Sequence, residues 1–374
     1  MMKNGKIGYR PTWAEINLDN LEYNFLSIKK CLAPGVKTLA CVKADAYGHG
    51  AVKAAKRLVK SKVDYLGVAS IDEGIELREA GIRKPILILG LTLEENIKPL
   101  FEYDIMPTVS GIEFARALNT LAKRKGRMAK VHIKVDTGMG RIGVLSELAV
   151  DFIKKISRLE SIKVEGLFTH LSCADARKGF TSAQLKKFLA LSDTLKTLGL
   201  RIPLLHAGNS LGIVSYKQSH FNMVRPGLVL YGLYPKEKFG IKLKPVLSLK
   251  TRIIYFKRLP KGYGVSYGST YVTKKDTTIV TLPIGYGDGY PRNLSNIGPV
   301  LIAGKRFRVC GRVCMDQIMV DVGDMKVRLG EEAVLIGSQG RQKITAEELA
   351  GLTNTIPYEI VCGFGRRIPR IYTP

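Results

Sequence analysis

The chain of 374 residues has few cysteines and histidines, a shortage of acidic groups and no long apolar run. Its six cysteines, Cys31, Cys41, Cys173, Cys310, Cys314 and Cys362, are scattered through a chain large enough to bury its own core. No disulfide framework is needed, and reduced thiols are expected. Cys310 and Cys314 form a lone CxxxC without a second Cys/His pair at zinc spacing, so no metal is assigned. The most apolar stretch, residues 86–91, is far short of the roughly 20 residues that span a membrane, and the opening MMKNGKIGYRP lacks the apolar core of a signal peptide. A cytoplasmic protein without a membrane partner is expected.

Acidic residues number 32 against 59 lysines and arginines, a formal charge of +27. Such a balance suits a nucleic-acid binder. The basic residues are spread through nearly every segment, however, and the densest run, Lys123 to Arg127, has no RNP, zinc-finger or KH signature beside it. A solvated basic surface that draws in anions at low salt is the expectation, with no specific nucleic-acid partner.

What the sequence does contain is order. Short apolar runs at 38–42, 65–69, 86–89, 105–109, 131–135, 164–168, 203–206 and 222–224 alternate with helical patterns at 51–59, 71–80, 111–124, 147–156 and 182–198. Eight such strands predict an α/β fold, a (β/α)8 TIM-like barrel, over residues 10–244. From 245 to 374 the texture becomes β-branched runs broken by glycine, at 246–256, 278–282, 300–302, 317–322 and 333–336, which predicts a β-rich C-terminal domain. Thr345 and Glu348 predict a capping box for a short helix at 346–352. The opening strand, about 11–18, is expected to pair with this second domain.

Barrel chemistry gathers at the C-terminal ends of the strands. Lys43 follows the first strand, Lys134 lies on the fifth, His170 follows the sixth, His206 ends the seventh and Arg225 follows the eighth, with His49 close by. These residues are therefore the candidate site.

The segment Val42-Lys-Ala-Asp-Ala-Tyr-Gly-His-Gly50 closely resembles the cofactor-lysine motif of alanine racemases. Further motifs agree in order: RPTWAEINL from Arg10, KVDTGMGRIG from Lys134, GLFTHLSCAD from Gly166, HAGNS from His206, RPGLVLYG from Arg225, GVSYGSTY from Gly264, IGYGDGYPR from Ile284, GRVCMDQ from Gly311 and IPYEIVCGFGRR from Ile356. Gly208 stands where an alanine is common, and Phe168 where other aromatics occur. Neither change removes a functional atom.

The resemblance implies a homodimer with shared active sites that interconverts L- and D-alanine using pyridoxal 5'-phosphate and supplies D-alanine for peptidoglycan. Lys43 would carry the cofactor and exchange the α-proton on one face, while Tyr267 of the partner subunit would act on the other. Racemisation needs such opposed proton carriers. His170 and Arg225 would lower the Tyr267 pKa by hydrogen bonding and positive charge. Arg225 would face the pyridine nitrogen, weakening the electron sink and disfavouring transamination. Tyr47, Asn209, Ser210, Gly227, Leu228 and Tyr358 would hold the phosphate. Arg141, with the backbone amide of Met315, would meet the substrate carboxylate. Lys134 occupies the position that many family members carbamylate. Tyr286, Asp175, Arg292, Arg312, Ile356 and Tyr358 match a narrow substrate entrance, and His206 and Asp316 are supporting residues. Competing readings are a serine or broad-specificity racemase, a barrel-type amino-acid decarboxylase, which should carry a carboxylate where Arg225 stands, and a pyridoxal-phosphate carrier protein, which should lack the second domain.

Overall fold

The computed structural model describes residues 9–235 and 239–374. Eight parallel strands, Lys37–Cys41, Tyr65–Val68, Ile86–Ile88, Thr108–Val109, Ala129–Asp136, Ile162–Phe168, Leu204–His206 and Met223–Val224, pair in ring order, each with its neighbour in sequence. The ring closes between the third and fourth strands. There Met106 bridges Leu87, its N–H donating to Ile86 O and its carbonyl accepting from Ile88 N–H, both at 2.9 Å. The fourth strand is shorter than the run 105–109 suggested because Pro107, which has no N–H, interrupts the ladder.

The predicted barrel helices form at Ala51–Lys60, Ile71–Glu79, Ile112–Arg124, Ala149–Ser157 and Lys178–Thr197. One further helix, Leu18–Lys29, is not evident from apolar spacing. Its buried face is Leu21, Asn24, Phe25 and Ile28, and the polar Asn24 breaks the pattern. The Asn24 amide donates to Leu230 O and Lys244 O, and its oxygen accepts from Lys244 N–H at 2.8 Å. A buried asparagine thus ties the helix to the chain leaving the barrel.

The β-rich part contains a sheet in which the opening strand, Thr12–Asn17, lies between Leu247–Arg252, antiparallel, and Arg370–Thr373, parallel. A second sheet is formed by Tyr255–Leu259, Thr277–Leu282 and Ile318–Gly323. The apolar run 246–256 is therefore two strands in two sheets. Ile253 N–H donates to Glu331 O and Ile254 N–H to Thr281 O, so the partner changes between adjacent residues. The helix Ala346–Thr353 is capped by Thr345, which accepts from Glu348 N–H at 3.1 Å. The Glu348 carboxylate turns away to Arg306, so only half of the expected capping box forms.

One apolar core of buried residues runs from the barrel into the sheet of the opening strand. Among the described residues no helix is long and apolar enough to cross a membrane.

Candidate active site

The first barrel strand ends in an unusual turn. Ala44, Asp45, Ala46 and Tyr47 all have φ between 51° and 54°, a left-handed conformation that costs about 1–2 kcal/mol per non-glycine residue. Local contacts hold it. The Glu73 carboxylate accepts from Ala44 N–H at 2.7 Å and Ala69 N–H at 2.6 Å, and Asp45 accepts from Ala51 N–H at 2.7 Å. His49 Nδ1 donates to the Tyr47 and Ala46 carbonyls at 2.8 and 3.1 Å. Gly48 closes the turn at φ 79°, where a Cβ would lie 2.2 Å from Val361 O. The segment ADAYGHG thus spends local stability to present Lys43 at the barrel mouth.

That mouth is a cavity of about 400 Å³ lined by Lys43, Tyr47, Lys134, Arg141, His170, Asn209, Ser210, Arg225, Gly227, Leu228 and Tyr358, with Cys41 and Phe168 among the rest. Four of its side chains are lysine or arginine, and among the described residues none lining it is a carboxylate. At its floor Gly227 N–H donates to Ser210 Oγ at 3.1 Å, and a Cβ on Gly227 would approach Tyr47 Oη to 2.7 Å. Asn209 Oδ1 caps the helix Ser210–Ser215 by accepting from Gly212 N–H. Tyr358 reaches the cavity from the helix Pro357–Cys362 of the β-rich part. Burial pushes the Tyr47 hydroxyl well above its ordinary pKa and Tyr358 up to about 12, so both are donors.

Arg225 is buried and, among the described residues, has no carboxylate partner. Its guanidinium donates to the carbonyls of His206 at 2.8 Å, Thr169 at 2.7 Å and Ala207 at 3.0 Å, to His206 Nδ1 at 3.0 Å and weakly to His170 Nδ1 at 3.4 Å. Burial, then Arg225, holds His170 well below the usual histidine range. His170 is therefore neutral, with its proton on Nε2. Burial, with Arg225 and Arg141, likewise drives Lys134 well below the ordinary lysine pKa, and its Nζ sits 4.3 Å over the Phe168 ring. Arg141 ends a loop folded on Asp136, whose carboxylate accepts from the N–H groups of Gly138, Met139 and Gly140 at 2.7–2.8 Å.

A second group of expected residues lies apart on the β-rich part. Tyr267, Met315 and Tyr286 do not line the cavity and are 70%, 53% and 43% exposed. Tyr286 and Gly287 donate to the carbonyls of Cys314 and Met315 at 3.0 and 2.9 Å, so the IGYGDGYPR and GRVCMDQ segments are stitched together. The Ser266 hydroxyl donates to Arg312 O at 2.7 Å, joining the Tyr267 turn to the same cluster. Beneath it, buried Asp288 pairs with Arg10 and Arg367, while Asp316 pairs with Arg367 at 2.6 Å and its carbonyl accepts from Arg10 at 2.9 Å. Asp175, Arg292, Arg312 and Ile356 are exposed.

Glu73, His132 and the Arg10–Asp288 pair were not singled out from the sequence. Arg10 and Asp288 stand inside quoted motifs, whereas Glu73 reads locally only as the last residue of a Ser70-x-x-Glu73 helix cap, and its contact with Ala44, like that of His132 with His206, is between residues far apart in sequence.

Two family models match: "Alanine racemase, N-terminal domain" over residues 16–235 and "Alanine racemase, C-terminal domain" over 246–372. An alanine racemase of Halothermothrix orenii is 52% identical over 367 residues, 97% of either chain. One of Methanococcus maripaludis is 45% identical, covering 97% of this chain and 98% of its own. Among solved structures, the alanine racemase of Clostridium difficile 630 superposes with a TM-score of 0.92 at 44% identity, covering 97% of this chain and 96% of its own. A histidine racemase of Leuconostoc mesenteroides superposes at 0.90 with 29% identity over 98% and 99%. The chain belongs to the alanine racemase family.

Proposed function

We propose that this chain interconverts L- and D-alanine with pyridoxal 5'-phosphate, as a homodimer whose active sites each draw on two copies. The observation that carries this reading is the barrel-mouth cavity, cationic and, among the described residues, free of carboxylates, with Lys43 at its rim. A phosphorylated pyridine aldehyde fits it. The hydroxyls of Tyr47, Ser210 and Tyr358, with Asn209 and the backbone at Gly227 and Leu228, would hold the phosphate, Arg225 the ring nitrogen and Lys43 the aldehyde carbon. When bound, the cofactor supplies the electron sink that acidifies the substrate α-C–H.

Lys43 then exchanges the α-proton on one face. Tyr267 of the partner subunit exchanges it on the other, and its exposure within one chain supports an origin outside the barrel it serves. Neutral His170, with Nδ1 turned to Arg225, has Nε2–H left to donate to that phenolic oxygen, which stabilises the phenolate. Arg141 and the Met315 amide of the second copy would orient the carboxylate. Tyr286, Asp175, Arg292, Arg312 and Ile356 would narrow the entrance, with Asp316 and Arg367 fixing the loop of Met315.

The test is complementation. Lys43→Ala and Tyr267→Phe chains are each expected to be inactive or strongly impaired alone. Mixed dimers should regain activity, because one of their two sites receives Lys43 from one chain and Tyr267 from the other. Full activity in Lys43→Ala alone, or no recovery in mixed dimers separated by affinity tags, would overturn the shared-site reading.

A further inference from the structure

A hydrogen-bonded relay runs from Arg225 away from the cavity into the barrel core. A guanidinium only donates, so His206 Nδ1, 3.0 Å from Arg225 Nη1, is an unprotonated acceptor. The His206 proton is therefore on Nε2, which lies 2.8 Å from His132 Nδ1. That atom must in turn accept, so the His132 proton is on Nε2. Here the relay ends: among the described residues the buried His132 Nε2 has no hydrogen-bond partner, and the ring stands edge-on to Tyr65 with centroids 6.4 Å apart. Both imidazoles have no exposed surface. Burial, then Arg225, holds His132 at about 3 and His206 well below the usual range, so both are neutral.

The barrel makes room for this. His132 pairs in register with Gly166, just after an irregularity between Val131 and His132. A Cβ on Gly166 would lie 2.1 Å from His132 Nδ1 and 2.4 Å from its Cε1. The sixth strand omits a side chain where the fifth inserts an imidazole. The Phe168 ring stacks on His206 with centroids 4.7 Å apart and an interplanar angle of 4°, which fixes the second ring. The two imidazoles thus form the far end of a hydrogen-bonded chain whose near end is Arg225.

We propose that His132 is a positioning residue for Arg225: through His206 it fixes the proton pattern that keeps His206 Nδ1 an acceptor for the buried guanidinium and so holds that group in place at the cavity. Without His132 Nδ1, the His206 proton is free to move to Nδ1, where it opposes an Arg225 N–H, and the guanidinium loses that acceptor. The consequence for turnover rests on the racemase reading, whereas the relay itself does not.

The first measurement is ¹⁵N NMR of the histidine-labelled protein. Both rings should be neutral near pH 7, with pyridine-type Nδ1 and pyrrole-type Nε2. A protonated Nδ1 on either would overturn the proposal whether or not the protein racemises alanine. The second compares His132→Leu, which removes the acceptor, with His132→Asn, whose amide oxygen approximates Nδ1. His132→Leu should lower kcat about tenfold, in line with one hydrogen bond to a charged group. The KM for alanine should stay within about twofold, since the carboxylate contacts are untouched, and the His206 Nδ1 resonance should move. His132→Asn should restore most of kcat and the resonance. A loss of kcat with the His206 resonance unmoved, or no loss at all, would contradict the proposal. If His132→Leu does not fold, His132→Asn and the unsubstituted protein's spectrum still decide it.

Discussion

The carboxylate of Glu73 grips the amide of Ala44, the residue after Lys43, at 2.7 Å, while its other oxygen holds Ala69 at the end of the second strand. A left-handed turn of four non-glycine residues is thereby fastened across two strand ends. Glu73→Ala should destabilise the protein by about 2 kcal/mol, within the range for hydrogen bonds to a charged group. It should also weaken pyridoxal phosphate binding, because the turn carrying Lys43 and Tyr47 relaxes. Urea unfolding and a fluorescence titration check both, with Glu79→Ala as a surface control. Unchanged cofactor affinity in Glu73→Ala would show that the turn holds itself.

The buried histidines make stability acid-sensitive. Burial lowers His49 to about 4 and His132 to about 3, and His170 and His206 also lie well below the ordinary value of about 6.5. In each case the unfolded chain binds the proton first. The stabilisation is complete above pH 6.5 and is lost as pH falls towards the folded values, by about 1.4 kcal/mol per pH unit for each histidine. Unfolding free energies at pH 7.5, 6 and 5 should therefore fall progressively more steeply, and His49→Gln should make the slope shallower by about one proton. A flat profile between pH 7 and 5 would contradict the burial of these rings.

Lys134 is the candidate for a covalent change. Its amine lies well below its ordinary pKa because of burial and then Arg225 and Arg141, which raises the share present as the nucleophilic free base. Attack on the carbon of CO₂, with loss of an N–H proton to solvent, gives a carbamate whose negative charge would be offset by those two arginines. Protein equilibrated with ¹³C-bicarbonate should show a carbamate resonance that Lys134→Arg abolishes. The same spectrum in both proteins would mean that Lys134 works as an unmodified amine.

The barrel was legible because its strand runs are short, apolar and separated by periodic helices, and all eight runs carry a strand, though the fourth is cut to Thr108–Val109 by Pro107. The failures have local causes. Asn24 hid the helix Leu18–Lys29 by placing an amide on its buried face, and a change of partner at Ile253–Ile254 is invisible in a continuous apolar run. Lys43, Tyr47, Arg141 and Arg225 could be named because their motifs are contiguous. Glu73 and His132 could not, because what makes them matter is a contact across strands: an amide 29 residues away for one, an imidazole 74 residues away for the other. Tyr267 and Met315 were legible as motif residues, but their distance from the cavity of their own chain emerges only in three dimensions.

The most direct measurement is the decay of the circular dichroism of L-alanine when the purified protein and pyridoxal phosphate are added, with L-serine, L-lysine and L-histidine in parallel. The racemase reading predicts that the alanine signal decays fully to zero and fastest of the four, and that D-alanine decays to the same end point. Decay of another amino acid with alanine untouched would reassign the substrate, and persistence of all four signals with the cofactor bound would contradict the account.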